Sequence, residues 1–458
     1  MHEFEAIKRS HKKINRMEPT ETKTQTVSTQ GFMKAGSTSV AIITLAKGTL
    51  GAGILALPSK AAFSGFPLFF VLLAIGGYFT SKSIQMIARG ASQTGKYVFE
   101  EITEAMFGRP MGIVLGISML LNCYGASIVY VIAIYDSLKA LLGQVEAATG
   151  VNWPLYATLI IGGAVLVPLS VFEKINSLRI VSVAGVFGVF FTVASVVYAL
   201  AYYGISPSFK PPTGSVATMM VPQGGFVDIM TVISTVTFAF CNQFNVPQVY
   251  DEMTDKSAKA VTKAAYLSTG LAMILYILTA VAGYLCYGLE IEKDIMLNFS
   301  GLIETGHVLI YIGISAVTLS VSVCHLLNNF PMRLSVIFFL PQHLHENRVI
   351  KLAVPLFTAV STIAIACIYA DLSIFLGLVG ALTGSIICYI VPAMFSIRAK
   401  QMEVHQGDVS PKGPNDMPSM WSVKTVVANP VEYTMIVLGV VIGIVGTFCE
   451  FYSCFTSS

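Results

Sequence analysis

The sequence predicts an all-α protein that crosses a membrane many times, and three observations carry the prediction. Of 458 residues, 54% are hydrophobic and only 12% are charged, about half the roughly 25% charge of a soluble domain. Apolar runs of about 18 residues or more, long enough to cross the hydrocarbon as helices, recur eleven times. The basic residues lie very unequally on alternate sides of those runs. This composition excludes a solvated enzyme surface and a disordered chain. A net charge of +3 gives no reason to expect a nucleic-acid partner; the expected surroundings are a lipid bilayer.

The eleven segments run roughly 37–62, 66–88, 111–142, 154–172, 178–204, 226–250, 263–288, 303–330, 349–370, 372–397 and 431–452. Only Asp371 separates the ninth from the tenth. With the N-terminus in the cytoplasm, twenty-three Lys/Arg fall in inside segments and three (Lys60, Lys210 and Lys293) outside, while Lys47 and Lys139 lie within spans. That split follows the positive-inside rule. The expected organisation is a polar cytoplasmic tail 1–36, a membrane domain 37–452 and a short extracytoplasmic tail 453–458. The tail 1–36 holds seven Lys/Arg and no apolar stretch, unlike a secretory signal. The loop 398–430, with its Gly and Pro residues, reads as a linker. The Asn298-Phe-Ser300 sequon falls in a loop expected outside.

Eight cysteines lie mostly in apolar runs without a CxxC pair, which favours buried thiols over a zinc site or a disulfide framework. HExxH, GxSxG and P-loop patterns are absent, and His343, His345 and Glu346 read as a solvated cluster. The acids Asp136, Asp228, Glu304, Asp371, Glu432 and Glu450 fall within a turn or two of span ends, unlike the carboxylate relay of a pump. Asp136 and Lys139, at i,i+3, read as a local ion pair. No enzyme, metal or cofactor is expected, and a pathway for a small solute is.

The first segment is broken by Gly48, Gly51, Gly53 and Pro58. Each glycine weakens a helix by roughly 1 kcal/mol relative to Ala, and the proline removes a donor. The glycines serve either close helix packing or an unwound stretch whose N–H groups receive an anion such as a carboxylate. In the sixth segment Asn242, Gln243 and Asn245 precede Pro247, which reads as a second break. Three amides so close are costly on a lipid face; they line an aqueous site or hydrogen-bond neighbouring helices. Phe240 gates that site or packs. In the third segment Asn122, Ser127 and Tyr130 form a cavity wall or bond locally. His325, in the eighth, carries a proton or is structural.

Lys47-Gly-Thr-Leu-Gly-Ala-Gly-Ile-Leu-Ala-Leu-Pro58 resembles the first-span signature of the amino acid/auxin permease family. Phe238-Ala239-Phe240 with Tyr250-Asp251-Glu252, and Ala316-Val317-Thr318-Leu319 followed by Pro331-Met332-Arg333-Leu334-Ser335, resemble later motifs of that family in the same order. The resemblance spans nearly the whole membrane domain; Ser322–Asn329 matches less well. It implies a LeuT-type fold: two inverted five-span repeats, about 37–204 and 226–397, with the eleventh span at 431–452 peripheral. It implies a secondary active amino acid transporter working by alternating access around broken spans 1 and 6.

The substrate residues expected on these grounds are Thr49, Gly51, Ala52, Gly53, Asn122, Tyr130, Phe240, Asn242, Gln243 and Asn245. An intramembrane Lys costs roughly 2.5–3.5 kcal/mol at a helix centre, so Lys47 is functional by default. Sodium-coupled members of the family carry Asn at the matching position, whereas proton-coupled members resemble this chain. Lys47, with Thr318 and Ser320, is therefore expected to replace sodium in ion coupling, with a proton as the partner. Lacking midplane acids, the site is expected to prefer neutral amino acids. An amino acid sensor without net transport and a cationic permease are the alternatives. Plasma and vacuolar or lysosomal membranes give the same sequence physics.

Overall fold

The computed structural model describes residues 36–171, 179–210, 215–344, 347–368, 371–405 and 419–456. Residues 1–35 of the expected tail, His345 with Glu346, residues 406–418 of the expected linker, and residues 457 and 458 lie outside them. The described chain is helical.

Helix α1 (Thr38–Thr49) starts on the Ser37 side chain, which accepts the Val40 N–H, and stops at Leu50. Helix α2 (Gly53–Thr94) resumes three residues later and contains a kink at Gly65, whose φ is 69°. A side chain there would be strained and would press on the Val221 backbone, so glycine is required. The kink ends the first apolar segment, and the rest of α2 is the second. A short helix, α3 (Phe99–Phe107), leads into α4 (Arg109–Thr149). Helix α5 (Trp153–Ile161) continues through a wide turn to Leu169, and α6 (Arg179–Tyr203) follows.

The second break lies between α7 (Phe226–Ala239) and α8 (Val246–Glu252). The helix gives way at Phe240–Asn242, earlier than Pro247 implied. Pro247 sits in the first turn of α8, where its missing N–H is not needed. The remaining long helices are α9 (Ala258–Tyr287), α10 (Val308–Phe339) and α11 (Arg348–Ile368). Next come α12 (Leu372–Val379) and α13 (Val391–His405), joined by wide turns and bent by 40°. Last are α14 (Pro430–Val441) and α15 (Thr447–Thr456), also joined by a wide turn.

Eight described helices are long and apolar enough to span a bilayer, or nine with the bent pair as one span. Two expected segments fall below that count for identifiable reasons. The first is cut by its break, with its second half continuous with α2, and Trp153–Leu169 is a shorter apolar helix. Exposed Val71, Ile75, Val114, Ile117, Leu121 and Phe357 form a surface suited to lipid rather than water.

The core divides into two large apolar clusters, with a small third one of Val323, Leu326 and Leu327. Leu50, Ile54, Leu57, Val236 and Phe240 belong to one, and Leu45, Cys241, Phe244 and Tyr250 to the other. The division passes through both breaks, so each broken span changes cluster where its helix is interrupted. Helix α10 packs on α4 and α6, and α9 packs on α1 and α2.

Charge is also divided. Arg89–Glu403, Lys256–Asp251, Arg109–Glu104 and Lys400–Glu432 pair at the end where α1 begins, and Lys293–Asp371 pairs at the other, 2.7 Å apart. Three expectations about charged residues change here. Lys60 is buried rather than exposed beyond a span. Glu450, near a span end in sequence, is also buried. Asp136 closes no ion pair with Lys139 among the described contacts, although Lys139 is near enough to act on its charge; Asp294, a buried carboxylate in the loop after α9, is another neighbour.

Candidate functional site at the two helix breaks

The breaks face one another and are held together by polar groups from three helices. The Asn242 side-chain N–H donates to Leu45 O at 2.8 Å and to Thr49 Oγ1 at 2.6 Å. The Tyr276 hydroxyl of α9 lies 2.6 Å from Thr49 O and 2.6 Å from Ala239 O, one carbonyl from each break. These contacts supply partners for backbone groups that unwinding would otherwise strand in an apolar core. Gly53 lets the halves approach: a Cβ there would lie 2.8 Å from the Cα and the Cβ of Ala239. No side chain caps the N-terminus of α2 at Ala52.

Between the breaks and α4 lies a small enclosed cavity. Thr49, Gly51, Gly53, Asn122 and Tyr130 line it, together with Phe238, Cys241 and Phe244. The space admits roughly one water molecule, far less than an amino acid. Asn122 Oδ1 accepts from Thr383 Oγ1 at 3.0 Å, which fixes the amide at the cavity wall. Tyr130 stands beside Gly51, where a Cβ would lie 3.2 Å from its hydroxyl.

The other expected substrate residues sit elsewhere. Phe240 packs edge-on against Tyr276, with centroids 5.3 Å apart, and lies behind the cavity. Gln243 donates to Ser83 Oγ at 2.8 Å and accepts from the Cys388 thiol at 3.1 Å. Asn245 lies against Gly48, where a Cβ would meet its amide at 3.1 Å. Ala52 is buried beside the break without lining the cavity. Asn242 keeps its Oδ1 buried without a partner. Ser127 accepts from Asn328 at 2.9 Å, and buried His325 has no partner at Nε2. Of the aromatic walls, Phe238 is marked in the sequence only by its motif and Phe244 by nothing; the break changes the helical register that would have assigned them one face.

Lys47 is fully buried, the last but two residue of α1. Its ammonium donates to Leu50 O at 3.0 Å, to Ser320 Oγ at 2.9 Å and to the Cys324 sulfur at 2.9 Å. Ser320 in turn donates to Gly185 O at 2.9 Å. Gly185 leaves space for the lysine stem: a Cβ would lie 2.5 Å from Lys47 Cε. Thr318 is not in this set; its hydroxyl bonds Ile314 O of its own helix at 2.9 Å. Cys324 takes that third place, and nothing in its residue type singles it out.

The chain is similar to known proteins. Residues 34–412 match the family described as transmembrane amino acid transporter protein. The chain is 28% identical over 266 residues to amino acid transporter AVT6E of Arabidopsis thaliana, a stretch covering 57% of this chain and 54% of that protein, so the match spans about half of that relative's length. It is 24% identical over 393 residues to sodium-coupled neutral amino acid symporter 2 of Danio rerio, covering 81% of this chain and 77% of that one. The fold is similar to that of Mhp1, a nucleobase-cation-symport-1 family transporter solved in a closed conformation with bromovinylhydantoin bound. The TM-score is 0.57 at 16% identity, over 92% of this chain and 93% of that one. Family and fold are those of transporters, not of enzymes. The protein is an integral, multi-pass membrane protein, and it belongs to the amino acid/auxin permease family of transmembrane amino acid transporters.

Proposed function

We propose that the protein is a secondary active transporter of amino acids, preferring neutral ones, that works without sodium and draws on a proton gradient. The observation that carries this reading is the Lys47 ammonium beside the first break, hydrogen-bonded to Leu50 O, Ser320 Oγ and the Cys324 sulfur. A cation placed among these acceptors would meet a positive charge at short range, a repulsion of several kcal/mol at reduced dielectric. The sodium coupling named for the Danio rerio relative would thus require Lys47 to leave. Thr318, two residues from Ser320 and bonded within its own helix, keeps at most an indirect part.

In this reading the substrate carboxylate meets the N-terminus of α2 at Gly51, Ala52 and Gly53. The Gly51 N–H already bonds Thr49 O at 2.8 Å, so the N–H groups of Ala52 and Gly53, with the helix dipole, are the ones that favour an anion there. The ammonium meets carbonyls at the C-terminal end of α7. Thr49, Asn122 and Tyr130 supply the polar wall, and Phe240, Asn242, Gln243 and Asn245 support the second break from behind. The cavity lining carries no carboxylate to balance a cationic side chain, which favours neutral substrates. Because the cavity holds roughly one water, a substrate enters only if the half-helices move, as alternating access requires.

The proposed topology has eleven crossings, counting the broken first span and Trp153–Leu169, in two inverted five-span repeats with the last span outside them. The N-terminus and the polar tail are cytoplasmic, and the C-terminus is extracytoplasmic. Reconstituted protein loaded with radiolabelled neutral amino acid, with and without sodium and a proton gradient, tests the reading.

A further inference from the structure

Two oppositely charged side chains are buried away from the cavity, and neither belongs to the scheme above. Lys60, on the first turns of α2, and Glu450, on α15, are each 3% exposed. The Lys60 ammonium donates to Ser373 Oγ of α12 at 2.9 Å and reaches Thr231 Oγ1 of α7 at 3.4 Å. The Glu450 carboxylate lies over Gly377 of α12, where a methyl group would overlap both its oxygens. It also faces Ser234 of α7.

Ser373 and Gly377 are one turn apart on one face of α12, and Thr231 and Ser234 are nearly so on α7. Residues so spaced have Cβ atoms about 5–6 Å apart. The ammonium and the carboxylate therefore occupy one polar slot between α7 and α12, a helical turn apart, without closing an ion pair. Glu450 Oε1 is buried with no hydrogen-bond partner.

The other ionisable groups around the slot are already engaged. Asp371 pairs with Lys293 at 2.7 Å and caps the Ile374 N–H at 3.2 Å. Asp228 accepts the Gly225 N–H at 2.8 Å. Cys449 precedes Glu450 on its own helix. An ionised carboxylate left unpaired in an apolar core is costly, and so is an unpaired ammonium. The arrangement has two economical states: a neutral acid held by Ser234, or a carboxylate drawn onto Lys60.

We propose that Glu450 is a proton-binding site: ionised, its carboxylate holds the Lys60 ammonium and with it the first turns of α2; protonated, it lets them go. The proton comes from water at the Lys293–Asp371 end of the bundle and returns there, and no other bond changes. Helix α15 is then more than a peripheral span, since it carries the charge that ties down the half-helix next to the first break. This inference rests on the reading that the half-helices at the breaks move during transport, but protonation itself can be observed without transport.

Infrared difference spectra of the purified full chain, wild type against Glu450→Gln, should isolate one buried carboxyl band. The band is present at acidic pH and is lost towards alkaline pH as the group ionises. Lys60→Met, which leaves the acid in place, should move that titration to higher pH, because the carboxylate loses its partner. In liposomes, amino acid counterflow by wild type should vary about tenfold over the same range, and Glu450→Gln should flatten the profile while Glu450→Asp keeps a slope. A carboxyl band that never titrates, or one unmoved by Lys60→Met, overturns the proposal even if transport is proton-driven. A titrating band in a protein that carries no amino acid leaves this site standing and overturns the transport reading instead.

Discussion

The Lys47 ammonium and the Ser320 hydroxyl lie 2.9 Å apart and join α1 to α10 beside the first break. Because Ser320 passes the contact on to Gly185 O, one side chain connects three helices at the point where α1 stops. Lys47→Met keeps most of the stem volume and removes the charge. Accumulation against a gradient should fall at least about tenfold, while folding stability drops by only about 1–2 kcal/mol, since Ser320 retains Gly185 O. Uptake and thermal unfolding of the same preparation check both halves. Wild-type accumulation by Lys47→Met refutes the coupling role.

Gly51 and Gly53 should behave differently although they lie two residues apart. A methyl at Gly53 would press on the Ala239 backbone, so Gly53→Ala should cost about 1–3 kcal/mol through overpacking. A methyl at Gly51 meets only the Tyr130 side chain at the cavity edge. Gly51→Ala should therefore fold normally and lose substrate binding. Ligand-induced stabilisation, measured beside the melting temperature, separates the two. Equal effects on both quantities would place the substrate elsewhere.

The Tyr276 hydroxyl serves a carbonyl from each break. Tyr276→Phe leaves both carbonyls buried with one partner fewer and should cost about 1–3 kcal/mol. Its melting temperature should fall with little change in the pH dependence of transport. An unchanged melting temperature shows that water replaces the hydroxyl.

The first break was legible in the sequence because three glycines crowd into six residues, although Gly48 lies inside α1, Gly53 opens α2 and only Gly51 stands in the break itself. The second was legible only in outline. Pro247 drew attention to the right stretch, but a proline is tolerated in a first turn, and the helix had already ended at Phe240. A buried amide announces that it needs partners without naming them. Asn242 finds Leu45 and Thr49 and Gln243 finds Ser83, contacts that link residues some 160 to 197 positions apart in the chain. Lys60 and Glu450 lay near the ends of apolar runs, where a sequence reading assigns charge to water. Their burial depends on how α7, α12 and α15 come together.

Asp294 gives a pH signature outside the spans. Its carboxylate accepts the Met296 N–H at 2.8 Å, and its second oxygen is buried without a partner. Burial, and then the neighbouring Asp136, push its pKa well above the ordinary 3.8. A raised folded-state pKa means that the native protein binds this proton more tightly than the unfolded chain does. The associated stability is complete below the unfolded value and is lost as pH rises through the raised one. Asp294→Asn should escape that loss, so its advantage in melting temperature over wild type should widen as pH increases. Parallel pH profiles for the two proteins would show that Asp294 is ionised in the fold.

If Lys47 stands in for sodium, uptake by the purified protein must not need that ion. Purified protein in liposomes is given labelled alanine or glutamine with external sodium replaced by choline and an inward proton gradient imposed. Accumulation should persist without sodium and collapse when a protonophore dissipates the gradient. Accumulation that requires sodium and is indifferent to the protonophore would contradict that role of Lys47.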